Sequence, residues 1–377
     1  MITTEHRYIK DFKFDVKSYR EFKHKHEPSN ICEMPVKWKE AKNFYVFDDK
    51  GNRWIDMTSG IFVTNAGHSN PYINEAIKNQ VDSDLTFAYQ YNTDIRNEFV
   101  EKLLEISPSH FDKVVLLNSG SEVTDAAYRL IKTWGKKNNK KYIVVFTGNY
   151  HGHVLGSDLI GGEPDSADCY VKDYEIHSIP FPKNNEELNI LRDLPPLDEI
   201  ACFFLETYQG WGAWMYPQKY IDELYQLSRD NNILFCFDEV QSGFYRMGEL
   251  YGYMTYGDYK PDIITLGKGL TSSLPLSALL STKEIIDLEP SINLSGSQAG
   301  NALCCAAGLA NLDYLTDDLF QSNLKKKIKL FEKLNKDLEQ EEGVEVVNVK
   351  GMVSAIIVKD ADMGNYVTEN CVKNGVL

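Results

Sequence analysis

From about residue 113 the chain alternates short apolar runs with amphipathic segments. The apolar runs are VVLLN, YIVVF, IACFFLE, ILFCFDEV and DIITLG, and helical patterns such as EVTDAAYRLIKTWGKK and PQKYIDELYQLSRDNN lie between them. Because these runs are apolar throughout rather than alternately polar, they indicate strands that are buried on both faces. The sequence therefore predicts an α/β fold with a mainly parallel sheet sandwiched by helices. Such sheets bind ligands at the carboxyl ends of their strands.

The two ends of the chain predict a second, smaller unit. FYVFDDKGNRWIDMTSG indicates a hairpin with its turn at Asp49 to Asn52, and the tail contains a long helix followed by the strands VEVVNV and VSAIIV. A chain of 377 residues, 43% of them hydrophobic, can bury one large core and a smaller one. We therefore expect a large domain over residues 65–310 and a smaller α+β domain built from residues 1–64 and 311–377.

Charge and composition exclude several classes of partner. The formal net charge of −15, from 40 basic and 55 acidic residues, disfavours binding to nucleic acid or to an anionic membrane surface. No 18 apolar residues run together, and the start MITTEHRYIKDFKFDVK has no apolar core of a signal peptide. The seven cysteines form no CxxC pair, which is typical of a reducing compartment. These features predict a cytoplasmic protein without a membrane or nucleic-acid partner.

Lys268 and Asp238 stand where two of the predicted strands end. Lys268 lies between two glycines, so that the backbone can turn sharply and a planar ligand can approach. An amine and a carboxylate at this edge suit pyridoxal phosphate (PLP), since the lysine forms an imine with its aldehyde and the aspartate keeps its pyridine nitrogen protonated. Either residue alone would be explained as a solvated lysine or a turn aspartate. Together they predict PLP as the cofactor.

A candidate phosphate site follows the VVLLN strand. Ser119, Gly120 and Ser121 stand at a strand-to-helix turn, where backbone N–H groups, a hydroxyl and the helix dipole favour an anion. The same Ser-Gly-Ser-Glu run is also typical of a helix cap without any ligand. Further along the chain, Ser297 precedes a helix of small residues and offers a second possible phosphate contact.

Aromatic residues follow two other strands. Tyr150 and His151 come just after YIVVF, where an aromatic face could stack on a cofactor ring, although plain packing also explains them. His151 and His153 form a His-x-His pair, but no carboxylate or cysteine cluster accompanies them, so no metal site is expected. Strand IACFFLE ends in Glu206, and the aromatic segment TYQGWGAWMYP follows it. This segment could form a pocket wall or belong to the core.

These motifs, in this order, resemble the class III (ω-type) PLP-dependent aminotransferases of fold type I. The resemblance covers nearly the whole chain, from DDKGNRWIDMTSGIFVTNAGHSNP to GNALCCAAGLANLDYL. It implies that Gly120 and Ser121 bind the phosphate and that Tyr150 stacks on the ring. It also implies an obligate homodimer with shared active sites, in which Ser297 reaches the phosphate of the neighbouring subunit.

The resemblance also assigns the residues around the ring. The DEVQ motif implies that Asp238 pairs with the pyridine nitrogen, that Val240 packs behind the ring and that Gln241 lies near the phenolic oxygen. Glu206 matches a glutamate beside this network, and Lys268 matches the Schiff-base lysine. The implied activity is ping-pong transfer of an amino group from an amine or amino acid to a keto or aldehyde acceptor.

Two departures from the family pattern bear on the substrate. Trp211 stands where many relatives that use glutamate have a switching glutamate, which suggests a more apolar pocket wall. Phe62, Tyr89 and Trp211 are therefore the candidate pocket residues. The chain also stops at CVKNGVL, where relatives continue, so we expect a truncated small domain that is part of a longer chain.

Other activities remain compatible with the same residues. An aminomutase, a racemase or a decarboxylating transaminase would use the same cofactor chemistry on the same scaffold. A more remote alternative is a non-catalytic regulator with the PLP fold. Polar residues held in a concave site usually serve chemistry, which favours an enzyme.

Overall fold

The computed structural model describes residues 36–161, 173, 175–184 and 194–377. The polar amino-terminal stretch, Cys32 and Cys169 therefore lie outside the described residues. The strands are β1 (Trp38–Lys42), β2 (Tyr45–Asp48), β3 (Arg53–Ile55), β4 (Lys113–Leu117), β5 (Tyr142–Phe146), β6 (Ile176–Ile179), β7 (Ile200–Glu206), β8 (Tyr208–Gln209), β9 (Trp214–Met215), β10 (Leu234–Asp238), β11 (Ile263–Leu266), β12 (Ser277–Ser281), β13 (Val344–Lys350) and β14 (Val353–Val358).

The helices occupy the predicted amphipathic segments and several others. They are α1 (Ser59–Phe62), α2 (Pro71–Asp82), α3 (Asp94–Ile106), α4 (Gly120–Lys137), α5 (Leu155–Leu159), α6 (Gln218–Asp230), α7 (Lys283–Ile286), α8 (Ala302–Thr316), α9 (Asp318–Asp337) and α10 (Ala361–Lys373). In α1 the residues Gly60 and Ile61 have left-handed backbone angles, so this segment is a tight turn rather than a regular helix.

A seven-stranded sheet, in the order β4-β12-β11-β10-β7-β5-β6, forms the centre of the molecule. Strand β12 runs antiparallel to both of its neighbours, and the other pairings in the sheet are parallel. All five apolar runs identified in the sequence form strands of this sheet. The predicted fold class, a mainly parallel sheet between helices, is confirmed. The sequence did not reveal β6 and β12.

Helices cover both faces of the sheet because its strands present apolar side chains alternately to each. On one face, α4 and α7 pack over residues such as Ile143 and Val145. On the other face, α3, α6 and α8 pack over residues such as Val144 and Phe146. The successive residues of β5 thus belong to two different cores, as expected for a strand buried on both sides.

The two ends of the described chain meet beside the sheet. The predicted turn at Asp49 to Asn52 joins β2 to β3, and the Asp48 carboxylate accepts from the Asn52 N–H at 2.8 Å. The Ile55 N–H donates to the Gly375 carbonyl at 2.8 Å, and the buried side chains of Trp54 and Val372 pack in one apolar cluster. None of the helices in the described residues contains an apolar stretch of the length that a membrane span requires.

Candidate active site

Three neighbouring strands end side by side at the edge where the sequence predicts a ligand. Asp238, the last residue of β10, is in register with Glu206 at the end of β7 and with Thr265 near the end of β11. A cavity of about 160 Å³ opens at this edge. Its walls are formed by Gly120, Ser121, Tyr150, His151, Gly152, Glu206, Tyr208, Asp238, Val240, Gln241, Ser242 and Lys268. The structure therefore brings together nine of the predicted residues from five separate segments of the chain.

Asp238 is buried and held from several directions. Its Oδ1 accepts from the Thr265 hydroxyl at 2.9 Å and from the Val240 N–H at 3.0 Å. Its Oδ2 lies 2.7 Å from Nδ1 of His151, whose ring meets Phe204 edge-on and whose Nε2 is buried without a partner among the described residues. These contacts fix the orientation of the carboxylate at the floor of the cavity.

Glu206 lies beside Asp238 with little contact with water. Burial, reinforced by the negative charge of Asp238, raises the pKa of Glu206 to about 8. The N–H groups of Tyr150 and Gly210 donate to its two oxygens at 3.0 and 3.3 Å and partly oppose this shift. The Glu206 carboxyl is therefore largely protonated at neutral pH, and the site carries less negative charge than its two acidic residues suggest.

Lys268 follows β11 after one glycine and begins a short 3₁₀ turn over Lys268–Leu270. Its φ of 42° is in the left-handed region, which strains a residue with a side chain. Burial lowers the pKa of Lys268; the negative charge of Asp238, and that of Glu206 when it is ionised, raises it, whereas the positive charge of Arg246 lowers it further. A lowered pKa makes the neutral, nucleophilic amine more accessible.

The predicted phosphate turn lies at the amino terminus of α4, an 18-residue helix. A methyl group added at Gly120 would stand 2.9 Å from Val240 Cγ1, and one added at Gly152 would stand 2.2 Å from Ser121 Oγ, so both positions admit only glycine without a shift. The Ser119 hydroxyl accepts from the Glu122 N–H at 3.2 Å in a capping box. Ser119 thus serves as the helix cap, while Gly120 and Ser121 face the cavity.

These residues fit pyridoxal phosphate. The cavity combines an amine of lowered pKa, a fixed carboxylate and a helix amino terminus that favours a phosphate group. The cavity also brings Val240 against Gly120, where a methyl group added to the glycine would stand 2.9 Å from Val240 Cγ1. The donor set is therefore that of a PLP site, and Lys268, Asp238, Gly120 and Ser121 would hold the cofactor.

Besides the helix cap Ser119, four predicted residues lie outside the walls of this cavity. Ser297 is exposed, and the Trp211 side chain is 70% exposed on the turn between β8 and β9. Tyr89 forms a hydrogen bond with Ser295 at 3.3 Å, and Phe62 packs against a cluster that includes Tyr208. Their roles in substrate binding or in a shared site remain predictions.

Three residues in or near the site have no signal in the sequence that predicts their contacts. Thr265 lies within an apolar strand, and only the strand register reveals its bond to Asp238. Tyr208 belongs to an aromatic segment that suggested a wall, but nothing in that segment predicts its bond to Gln241. Arg246 follows the DEVQ motif by a few residues, and its burial depends on segments distant in sequence.

Comparison with known proteins agrees with the geometry. The family model for aminotransferase class III matches residues 27–377. An acetylornithine aminotransferase from Aquifex aeolicus (strain VF5) is 31% identical over 76% of this chain and 75% of its own length. An isoleucine 2-epimerase from Lentilactobacillus buchneri is 31% identical over 71% of this chain and 64% of its own length.

Solved structures show the same fold. An ornithine aminotransferase from Toxoplasma gondii, described with PLP at partial occupancy in its active site, aligns with a TM-score of 0.83 and 23% identity over 97% of this chain and 90% of its own. The match to the family model spans nearly the whole chain. This chain belongs to the class III aminotransferases and is a PLP-dependent transaminase.

Proposed function

We propose that this transaminase acts on an amine or amino acid whose reacting nitrogen is distal from, or lacks, an α-carboxylate, and passes the amino group to a keto or aldehyde acceptor. One observation carries the proposal: the described residues that line the cavity include no arginine, and Lys268 is the single lysine among them. A carboxylate next to the reacting nitrogen would have no arginine partner there. The similarity to aminotransferases named for ornithine and acetylornithine supports the same substrate class.

The residues take the following roles in this proposal. Bound PLP supplies an aldehyde and an electron-accepting pyridine ring. Lys268 Nζ holds the cofactor and, once displaced, accepts and returns the substrate proton, since its lowered pKa keeps the amine available as a base. Asp238 holds the proton of the pyridine nitrogen, and His151 and Thr265 fix its orientation. Gly120 and Ser121 bind the phosphate at the amino terminus of α4.

A donor panel tests the substrate class. The purified protein, loaded with PLP, is mixed with ω-amines, ω-amino acids and α-amino acids, and the change in cofactor absorbance is followed with each. We expect the fastest change with donors whose amino group lies far from a carboxylate. A clear preference for simple α-amino acids would contradict the proposal. Borohydride reduction and peptide mass mapping should locate the cofactor on Lys268, with Lys268→Ala as the unlabelled control.

We also propose that the enzyme is a cytoplasmic homodimer with shared active sites. Ser297 is exposed and lies outside the walls of the cavity of its own chain, which leaves it available to a second copy. Met57, Ile61 and Tyr91 expose large apolar side chains, 60%, 62% and 78% respectively, of the kind that protein interfaces cover.

Mixing two inactive variants tests the shared site. Lys268→Ala lacks the amine, and Ser297→Asp places a negative charge where the phosphate would bind. In a mixed dimer one of the two sites combines an intact lysine with an intact serine if Ser297 acts across the interface. Recovered activity on refolding the two variants together is expected. If each Ser297 contributes to the active site of its own chain, mixing the two variants restores no activity.

A racemase is the second candidate, because an isoleucine 2-epimerase is among the similar proteins. Incubation with one enantiomer of an amino acid, without any keto acceptor, separates the two activities. A transaminase should stop after a single turnover because its cofactor keeps the amino group. A racemase would continue until both enantiomers are present, as chiral chromatography would show.

A further inference from the structure

Tyr208 is a buried phenol in the cavity wall that neither the sequence motifs nor the roles above explain. Its side chain is only 2% exposed and lies in β8, directly after the strand that ends in Glu206. The hydroxyl donates to Gln241 Oε1 at 2.8 Å. Burial raises the pKa of Tyr208 well above its usual value, so the phenol keeps its proton and remains a donor across the physiological pH range.

This bond determines which end of the Gln241 amide faces the cavity. The oxygen of Gln241 faces β8 because it accepts from the Tyr208 hydroxyl. It also lies close to Gly210, the residue after β8, where an added methyl group would stand 3.2 Å from Oε1. The amide nitrogen is at the opposite end of the same planar group. Gln241 lines the cavity, and its Nε2 has no hydrogen-bond partner among the residues that the structure describes.

We propose that Tyr208 is a positioning residue, which holds the Gln241 amide so that its N–H groups point into the cavity towards the phenolic oxygen of the cofactor. This inference rests on the proposed PLP site. A glutamine without such a bond can rotate by half a turn and present its oxygen instead, because the two ends of the amide have the same shape. An oxygen presented to a phenolate would repel it, whereas an N–H donor stabilises its negative charge.

The expected consequence is spectroscopic as well as energetic. A donor held at the phenolic oxygen favours its ionised form, so losing that donor raises the pH at which the absorbance of the bound cofactor changes. Tyr208→Phe removes the hydroxyl alone. It should raise this pH midpoint by about 0.5 to 1 unit and weaken PLP binding about 3- to 10-fold, the effect of one buried hydrogen bond.

The experiment measures the pH midpoint and the Kd of PLP without any substrate, for wild type, Tyr208→Phe, Gln241→Met and the double variant. Gln241→Met keeps the length of the side chain and should shift both quantities at least as far. The double variant should match Gln241→Met alone, because Tyr208 acts through Gln241. Additive shifts in the double variant, or a Tyr208→Phe protein with the wild-type midpoint, would overturn the inference.

Tyr253→Phe is the matched control. Tyr253 is also a buried phenol, its hydroxyl has no partner within the described part of the chain, and it lines a different cavity. Tyr253→Phe should leave the pH midpoint unchanged. A shift as large as that of Tyr208→Phe would show that losing any buried phenol hydroxyl disturbs the site, and not that Tyr208 positions Gln241. Wild-type protein that binds no PLP would refute the proposed function itself, which separates that failure from the failure of Tyr208 as a positioning residue.

Discussion

At the scale of single residues, two adjacent carboxyl groups of the site have different surroundings. Asp238 accepts from a hydroxyl and an N–H and lies against an imidazole nitrogen. Glu206 accepts only two backbone N–H groups and is otherwise buried, which raises its pKa to about 8. Because like charges this close oppose each other, the site keeps one carboxylate ionised most easily when the other is protonated.

The raised pKa of Glu206 makes stability depend on pH. Between about pH 4.5 and 8 the native protein holds a proton on Glu206 that the unfolded chain releases, so the free energy of unfolding falls as pH rises through this window. Glu206→Gln should flatten this dependence in the cofactor-free protein, as measured by urea unfolding at several pH values. Glu223→Gln, on an exposed helix position, is the control. An unchanged slope in Glu206→Gln would contradict the assignment.

Arg246 shows how one buried cation connects distant segments. Its guanidinium donates to the Asn65 side chain and to the Met352 carbonyl, and it lies 5.5 Å from the centre of the Phe62 ring. It has no ion-pair partner among the described residues, and burial lowers its pKa. Its charge also acts on Lys268.

Arg246→Lys should therefore lower the free energy of unfolding more than an ordinary conservative substitution does. A lysine keeps the charge but lacks the planar fork that reaches both acceptors. We expect a loss of about 2 to 4 kcal/mol in the free energy of unfolding, measured with urea. Arg129→Lys, at a partly exposed position paired with Asp125, should change it by less than about 1 kcal/mol. Equal effects of the two changes would refute the bridging role.

At the scale of elements, the amino terminus of α4 contains both the helix cap and the proposed phosphate site. Ser119 and Glu122 satisfy each other's backbone N–H groups in the capping box, and the Glu122 carboxylate also accepts from the Asn118 N–H at 2.8 Å. The first turn is therefore fixed before any ligand binds. The neighbouring N–H groups at Gly120 and Ser121 remain for an anion.

Ser119→Ala should lower the free energy of unfolding by about 1 kcal/mol, the usual effect of losing a helix cap. Ser119→Thr keeps a hydroxyl at the same position and should change it by only a few tenths of a kcal/mol. Urea unfolding of both variants checks the difference. If the alanine variant unfolded at the same urea concentration as wild type, the cap would have no energetic role.

At the scale of the whole molecule, the two ends of the described chain depend on each other. Backbone bonds join Ile55 to Gly375 and Leu377, and Trp54 packs with Val372 from α10. The division into a large domain over residues 65–310 and a small domain from residues 1–64 and 311–377 stays a prediction. These contacts support its central feature, a unit formed by both ends.

Val372→Ala tests this dependence. The lost methyl groups face the Trp54 cluster, so β2 and β3 should exchange their amide hydrogens faster, with a loss of about 1 to 3 kcal/mol in local stability. Val367→Ala, in the same helix but with its side chain 41% exposed, is the control. Unchanged exchange in β2 and β3 of the Val372→Ala protein would show that the two ends are independent.

Local patterns in the sequence determined five of the seven strands of the central sheet, the main helices and the residues with distinctive chemistry. A continuous apolar run implies burial on both faces, and a lysine between glycines after such a run implies a ligand site, because these signals depend only on near neighbours. The fold class and the cofactor follow from these signals, the family follows from the resemblance of the ordered motifs, and all three are confirmed.

Only the tertiary structure decided the contacts between segments that are distant in sequence. It placed Thr265 and His151 on Asp238, gave Glu206 its raised pKa, left Trp211 exposed and set Tyr208 against Gln241. Strand order, register and burial control all of these features, and each depends on how the whole chain packs. The sequence thus specified which chemical groups the site contains, and the packed sheet specified their charge and orientation.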